Sequence, residues 1–150
     1  MSPQGPDTLD PTVRLTQDWV DELADRLGWS SRRATLLLLR TVLTELRARL
    51  PPGDMARLSG HLPLLLRGMF YEGWHPATPQ VRDSASDGFE RAVEARLGPL
   101  RGWRGQAEIA AVFSMLTVRL PSAEVRRLRR ALPQTTRDFW PPDTRTPPHR

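Results

Sequence analysis

Identical residues recur along this chain at a single spacing. Gly28 and Gly98, Val42 and Val112, Leu46 and Leu116, Arg49 and Arg119, Leu58 and Leu128, and Pro63 and Pro133 each lie 70 positions apart, with no gap required. Three short blocks match residue for residue: Arg26-Leu27-Gly28 with Arg96-Leu97-Gly98, Arg49-Leu50-Pro51 with Arg119-Leu120-Pro121, and Leu62-Pro63 with Leu132-Pro133. Self-similarity at a fixed spacing means two copies of one supersecondary unit. A spacing of 70 residues exceeds the ~20–50 residues of solenoid repeats and predicts a closed pair of units instead of an open array. Whatever one half folds into, the other half must fold into as well.

Each unit reads as four helices. Thr16 is positioned to cap a first helix, Asp18, Asp21 and Glu22 complement its dipole, and Gly28 ends it in a left-handed conformation. Its buried stripe is Trp19, Val20, Leu23 and Leu27. Ser30 or Ser31 caps a second helix reaching Leu50, apolar around most of its circumference and therefore central; Pro51 and Pro52 stop it. A third helix turns Met55, Leu58 and Leu62 inward and Arg57 and Ser59 outward. Pro63 opens a fourth helix, which ends at Gly73.

The order then recurs in the second half. Asp87 with Glu90 forms a capping box ahead of Phe89, Val93 and Leu97. Ile109, Val112, Phe113, Leu116 and Leu120 share one face of the sixth helix. Ser122 caps the seventh helix, which buries Val125, Leu128 and Leu132, and Pro133 opens the eighth. The expected fold is all-α, about eight helices in two pseudo-symmetric four-helix repeats forming one compact domain, with Val42, Leu46, Val112 and Leu116 at its centre. Residues 1–15 are expected to be a disordered arm, 16–74 the first repeat, 75–86 an irregular linker, 87–140 the second repeat, and 141–150 a disordered proline-rich tail.

Length and composition fit this picture: 150 residues with 39% hydrophobic and 26% charged side chains suit one globular body. The absence of cysteine removes disulfides, thiolate metal sites and thiol nucleophiles together. No signal-like start and no apolar run near ~18 residues is present, so a cytoplasmic protein without a membrane span is expected. All 22 Lys+Arg residues are arginine, unevenly spread. Residues 1–88 carry ten arginines against eleven Asp and Glu, whereas residues 89–150 carry twelve against six. The second repeat is the basic one.

Leu39 to Pro52, His61-Leu62-Pro63-Leu64-Leu65-Leu66-Arg67-Gly68-Met69-Phe70-Tyr71-Glu72-Gly73-Trp74, and Leu132-Pro133 through Trp140-Pro141 together resemble the bacterial family catalogued as domain of unknown function 2267. The resemblance covers about Trp19 to Pro141. It implies a small all-α protein of a kind often found in actinobacteria and related soil bacteria, sometimes encoded near stress-related genes, with no established activity and no catalytic residues to carry over.

No catalytic, metal or cofactor constellation stands out. His61, His75 and His149 fall at a helix end, in the linker and in the tail, without carboxylates at ligand spacing. Gly98, Gly102 and Gly105 precede neither a Lys-Ser/Thr pair nor a strand, so they form no phosphate loop. Two function classes follow. One is a non-enzymatic protein-interaction or scaffold module using Leu66, Met69, Phe70, Tyr71 and Trp74, residues that would otherwise form the seam between the repeats; the partner is an unknown protein or a second copy. The other is sequence-indifferent nucleic-acid or polyanion binding through Arg126, Arg127, Arg129 and Arg130, which helical spacing places opposite Val125, Leu128 and Leu132. A solvated face in an arginine-biased chain is the plainer account of those four. Arg67 and Arg137, each four residues after a helix-opening proline, either staple their helices to a neighbouring helix end or bind an anion in a groove.

Overall fold

The computed structural model describes residues 6–100 and 103–141, with side chains from residue 9 onward. The chain forms eight α-helices among the described residues: α1 (Pro6–Leu27), α2 (Arg32–Arg49), α3 (Pro52–Ser59), α4 (Leu64–Tyr71), α5 (Gly88–Leu97), α6 (Gln106–Arg119), α7 (Ser122–Ala131) and α8 (Gln134–Arg137). No strand is present among them, and none of these helices is long and apolar enough to cross a membrane. The breaks fall where proline and glycine chemistry puts them. Gly28 and Gly98, at φ +70° and +67°, follow α1 and α5, and Pro51, Pro63, Pro121 and Pro133 precede α3, α4, α7 and α8.

Helix α2 is the centre of the fold, packing against α1, α4, α5 and α6. Leu38, Leu39, Val42 and Leu46 are fully buried in it, as are Val112 and Leu116 in α6. The contacts between the two halves are reciprocal: α2 lies on α5, α1 lies on α6, and α3 lies on α7. An arginine at the end of each long helix marks this reciprocity. The Arg49 guanidinium sits 5.0 Å from the centre of the Phe89 ring, and that of Arg119 sits 5.7 Å from Trp19. Both pairs join residues that the 70-residue spacing makes equivalent.

The two arginines differ in what else they touch. Arg49, 1% exposed, donates Nε to Asp83 Oδ2 at 2.6 Å and Nη2 to Asp83 Oδ1 at 2.8 Å, while Nη1 reaches Glu45 Oε2 at 2.9 Å. Burial alone would lower its pKa, but the hydrogen bonds to Asp83 and Glu45 outweigh that and raise it. Arg96 donates to the other oxygen of Glu45 at 2.9 Å. Arg119 is looser: its Nε lies 3.3 Å from Glu22 Oε1 without hydrogen-bond alignment.

Asp83 belongs to the segment between the repeats, and that segment is a strap, irregular yet tied down. Val81 N donates to Ala48 O at 2.8 Å and Gln80 Nε2 to Arg49 O at 2.9 Å. Two carbonyls that the end of α2 leaves without intrahelical partners are satisfied this way. Gly88 makes room for the strap, since a Cβ there would lie 2.6 Å from Asp83 Oδ1.

Several sequence expectations need correction. Helix α1 starts at Pro6, ten residues before Thr16, because extending a helix already anchored in a core adds a bond per residue with no further nucleation cost. Thr16 is therefore no cap; its hydroxyl donates to Thr12 O at 3.1 Å within the helix. Residues 1–5 of the expected arm and 142–150 of the expected tail lie outside the described residues. Asp87 makes no capping hydrogen bond and instead pairs with Arg91 at 3.2 Å. Ser122 lies inside α7, whose cap position is Pro121. Ser59 is buried, held by Ala56 O and by the Tyr71 hydroxyl. Most consequentially, α4 is not the seam between the repeats: it packs on α1 and α2, both in the first half. The contacts between the halves are made instead by α2 with α5 and α6, α1 with α6, and α3 with α7.

Candidate functional site

The Leu62-Pro63 turn sets the direction of α4, and one edge of the helix drops into the core. Leu66 and Phe70, one turn apart, are 0% and 1% exposed. Arg67 and Tyr71 hold the helix to the end of α3: Arg67 Nε donates to Ser59 O at 3.0 Å and the Tyr71 hydroxyl to Ser59 Oγ at 3.1 Å. Arg137 does the same work in the second half, donating Nη2 to Leu132 O at 3.0 Å just after α7. Both arginines are thus stapled to carbonyls at a helix end, where a cation also meets the negative pole of the dipole.

The opposite side of α4 faces solvent. Leu64 is 61% exposed, Leu65 40% and Trp74 37%, while Met69 and Tyr71 are half-buried. The candidate set Leu66, Met69, Phe70, Tyr71 and Trp74 therefore divides into core and surface, and the two exposed leucines of α4 lie outside it. A comparison between the repeats could have found them. Gln134 and Thr135 occupy the places of Leu64 and Leu65, whereas the position of buried Leu66 holds Thr136, which is also buried. The fold accepts polar residues at the two surface positions.

Helix α7 packs on α3 and α6 through Val125 and Leu128, which are buried. Arg126, Arg127 and Arg130 are exposed on the other side, and Arg129 is half-buried. Among the described residues, none of these four has a carboxylate within 4.0 Å. The charge of this face is uncompensated locally. At the α3 side, buried Glu124 lies 3.6 Å from His61 Nε2, a contact that crosses between the repeats.

A third feature was missed by sequence reasoning. Helices α2, α4 and α5 enclose an open groove of about 430 Å³ lined by Arg40, Arg47, Arg96, Glu72, Leu37 and Met69, among others. Arg47 Nη1 caps the end of α4, donating to Phe70 O at 2.6 Å and Glu72 O at 3.0 Å, and Arg40 pairs with the Glu72 carboxylate. Burial, then repulsion from Arg96, lowers the pKa of Arg47, with Glu45 opposing; the group nevertheless stays a cation. The duplication carried the signal here too, for Arg40 and Arg47 face Ala110 and Thr117 across the 70-residue spacing. Among the described residues, no cluster of three His, Cys, Asp or Glu residues is placed to hold a metal.

The profile of a family described as "Uncharacterized conserved protein (DUF2267)" matches residues 16–139. No curated protein matches the chain.

Proposed function

The chain belongs to the family described as "Uncharacterized conserved protein (DUF2267)", matched over residues 16–139, and from that premise we propose that it is a non-enzymatic, cytoplasmic protein-interaction module. The observation carrying this reading is the exposed leucine pair on α4. Leu64 and Leu65 are 61% and 40% exposed where the equivalent positions hold Gln134 and Thr135. Exposed apolar side chains that the fold does not need mark a surface used by a partner. Leu65 lies one turn before Met69 on α4, and Met69 borders the same groove as Leu37, itself 39% exposed. An apolar ledge therefore continues from α4 toward α2.

The test converts this surface to that of the other repeat. A Leu64→Gln/Leu65→Thr variant should keep its stability within about 0.5 kcal/mol, as exposed substitutions do. It should lose, at high salt, a partner or a self-associated form that the unaltered protein retains in sedimentation and in capture from its host. A protein that is monomeric and captures the same set with and without the leucines would remove this reading.

A second reading rests on a separate observation, the unpaired arginines of α7. In it, Arg126, Arg127, Arg129 and Arg130 bind nucleic acid through phosphate contacts alone, with no aromatic interleaved to stack bases. Duplex DNA should bind with a dissociation constant of about 10⁻⁴–10⁻⁶ M at physiological salt, more tightly at low ionic strength, and weaken steeply as salt rises. Changing all four arginines to serine should abolish the binding. Equal anisotropy titrations for the two proteins would leave the charge as an aid to solubility.

A further inference from the structure

We propose that the groove between α2, α4 and α5 is a binding site for a small phosphate-bearing ligand, held by Arg40, Arg47 and Arg96. Arg40 and Arg47 are two turns apart on one face of α2, and both converge on Glu72, one on its carboxylate and one on its backbone carbonyl. Arg96 enters from α5 and lines the same groove.

Their donors are only partly used. Among the described residues, Arg40 engages Nη2 alone, Arg47 Nη1 alone and Arg96 Nε alone. Each guanidinium keeps two further nitrogens for another acceptor. The charges do not balance either. Arg40, Arg47, Arg96 and the adjoining Arg49 share three carboxylates, those of Glu45, Glu72 and Asp83. One positive charge remains, and Arg96 repels Arg47, a smaller cause of its lowered pKa than burial. An anion between the two would offset that repulsion.

The scaffold does not require this arrangement. The equivalents of Leu37, Thr41 and Arg96 are Ala107, Ala111 and Arg26, and these line a different groove containing the buried acid Glu108. That groove also carries Arg26 and Arg104, but the positions matching Arg40 and Arg47 are Ala110 and Thr117, so the arginines on α2 belong to one copy of the fold alone. A phosphate group suits three guanidinium groups better than a carboxylate does. It carries up to two charges near neutral pH and three free oxygens, whereas one carboxylate edge is satisfied by a single arginine fork. Leu37 and Met69 border the groove and can take the organic part of a phosphate monoester.

The measurement is calorimetry together with NMR of the arginine Nε–H groups, at fixed ionic strength, with inorganic phosphate, phenyl phosphate and acetate as probes. Saturable binding of the phosphates and none of acetate is expected. Tighter binding of phenyl phosphate would identify a monoester as the ligand type, and equal binding would identify free phosphate. An Arg40→Ala/Arg47→Thr variant, carrying the residues of the second repeat, should bind at least about tenfold more weakly. Because Arg47 also caps α4, Arg40→Ala alone provides a version that disturbs only an exposed pair. The α7 fourfold serine variant and Leu64→Gln/Leu65→Thr should bind phosphate unchanged, which separates this site from the two surfaces above. Absence of saturable phosphate binding, equal binding of acetate, or undiminished binding by both Arg40→Ala and the double variant would overturn the proposal.

Discussion

Replacing Arg49 by methionine is expected to lower the stability of the fold by about 3–5 kcal/mol, the range for removing one partner of a buried ion pair. The side chain is 1% exposed and is the only tether recorded for the Asp83 carboxylate among the described residues. Methionine would fill much of the volume but leave Asp83 without its two hydrogen bonds and Glu45 with Arg96 alone. Arg49→Lys should recover part of the loss, since it keeps the charge but not the fork that matches the aspartate. Removing all three charges together, as Glu45→Gln/Arg49→Met/Asp83→Asn, should cost less than Arg49→Met by itself, because no charge is then buried alone. Met115 already stands at the position equivalent to Glu45, so an apolar residue is compatible with this fold there.

The equivalent change in the other repeat, Arg119→Met, should cost only about 1 kcal/mol or less. Arg119 and Glu22 are 28% and 26% exposed and imperfectly aligned. Urea denaturation of the two single variants makes the comparison directly. Equal losses, or a loss below about 1 kcal/mol for Arg49→Met, would show that the strap is not held by this charge network.

The duplication and the helical periodicities made the helix order and most of the core legible without coordinates. Val42, Leu46, Val112 and Leu116 are all 0% exposed, as their spacing in two apolar helices requires. Caps were read less well, because a Ser, Thr or Asp that looks like a cap locally can be overruled by where the helix begins or by another partner. Thr16, Asp87 and Ser122 each look like a cap locally, yet a longer α1, a pairing with Arg91 and a first turn set by Pro121 decide otherwise.

The seam was misplaced for a related reason. Composition marks α4 as apolar on several sides, but composition does not say which neighbour covers each side; its packing on α1 and α2 does. The arginine groove was invisible to a search along one helix at a time, since Arg96 comes from α5 while Arg40 and Arg47 come from α2. What could have exposed it is the difference between the two copies. A position that is arginine or leucine in one repeat and alanine or glutamine in the other is not held there by the fold, and Arg40, Arg47, Leu64 and Leu65 all meet that description.

The same contrast within α4 gives the second large effect. Phe70→Ala should destabilise by about 3–5 kcal/mol and Leu66→Ala by about 2–5 kcal/mol, as truncations of filled core positions do. Phe70 is 1% exposed, packs edge-on against Tyr71 at 5.2 Å between ring centres, and lies where α4 meets α1 and α2. Neither cavity can refill easily, because α4 packs on α2, whose Leu38, Leu39 and Val42 are themselves fully buried. Leu66→Thr tests the point further. Threonine occurs at the equivalent position, but among the described residues the buried hydroxyl of Thr136 has no hydrogen-bond partner, so copying it into α4 would add an unsatisfied polar group to a lost apolar one. It should therefore be no milder than Leu66→Ala, whereas Leu64→Gln and Leu65→Thr, on the adjacent exposed face, should be nearly neutral. Chemical denaturation and sedimentation of the same variants separate the two faces. If Leu66→Ala and Phe70→Ala left stability unchanged and instead dissolved an oligomer, the buried edge of α4 would have to be an intermolecular surface, and its packing on α1 and α2 would be wrong.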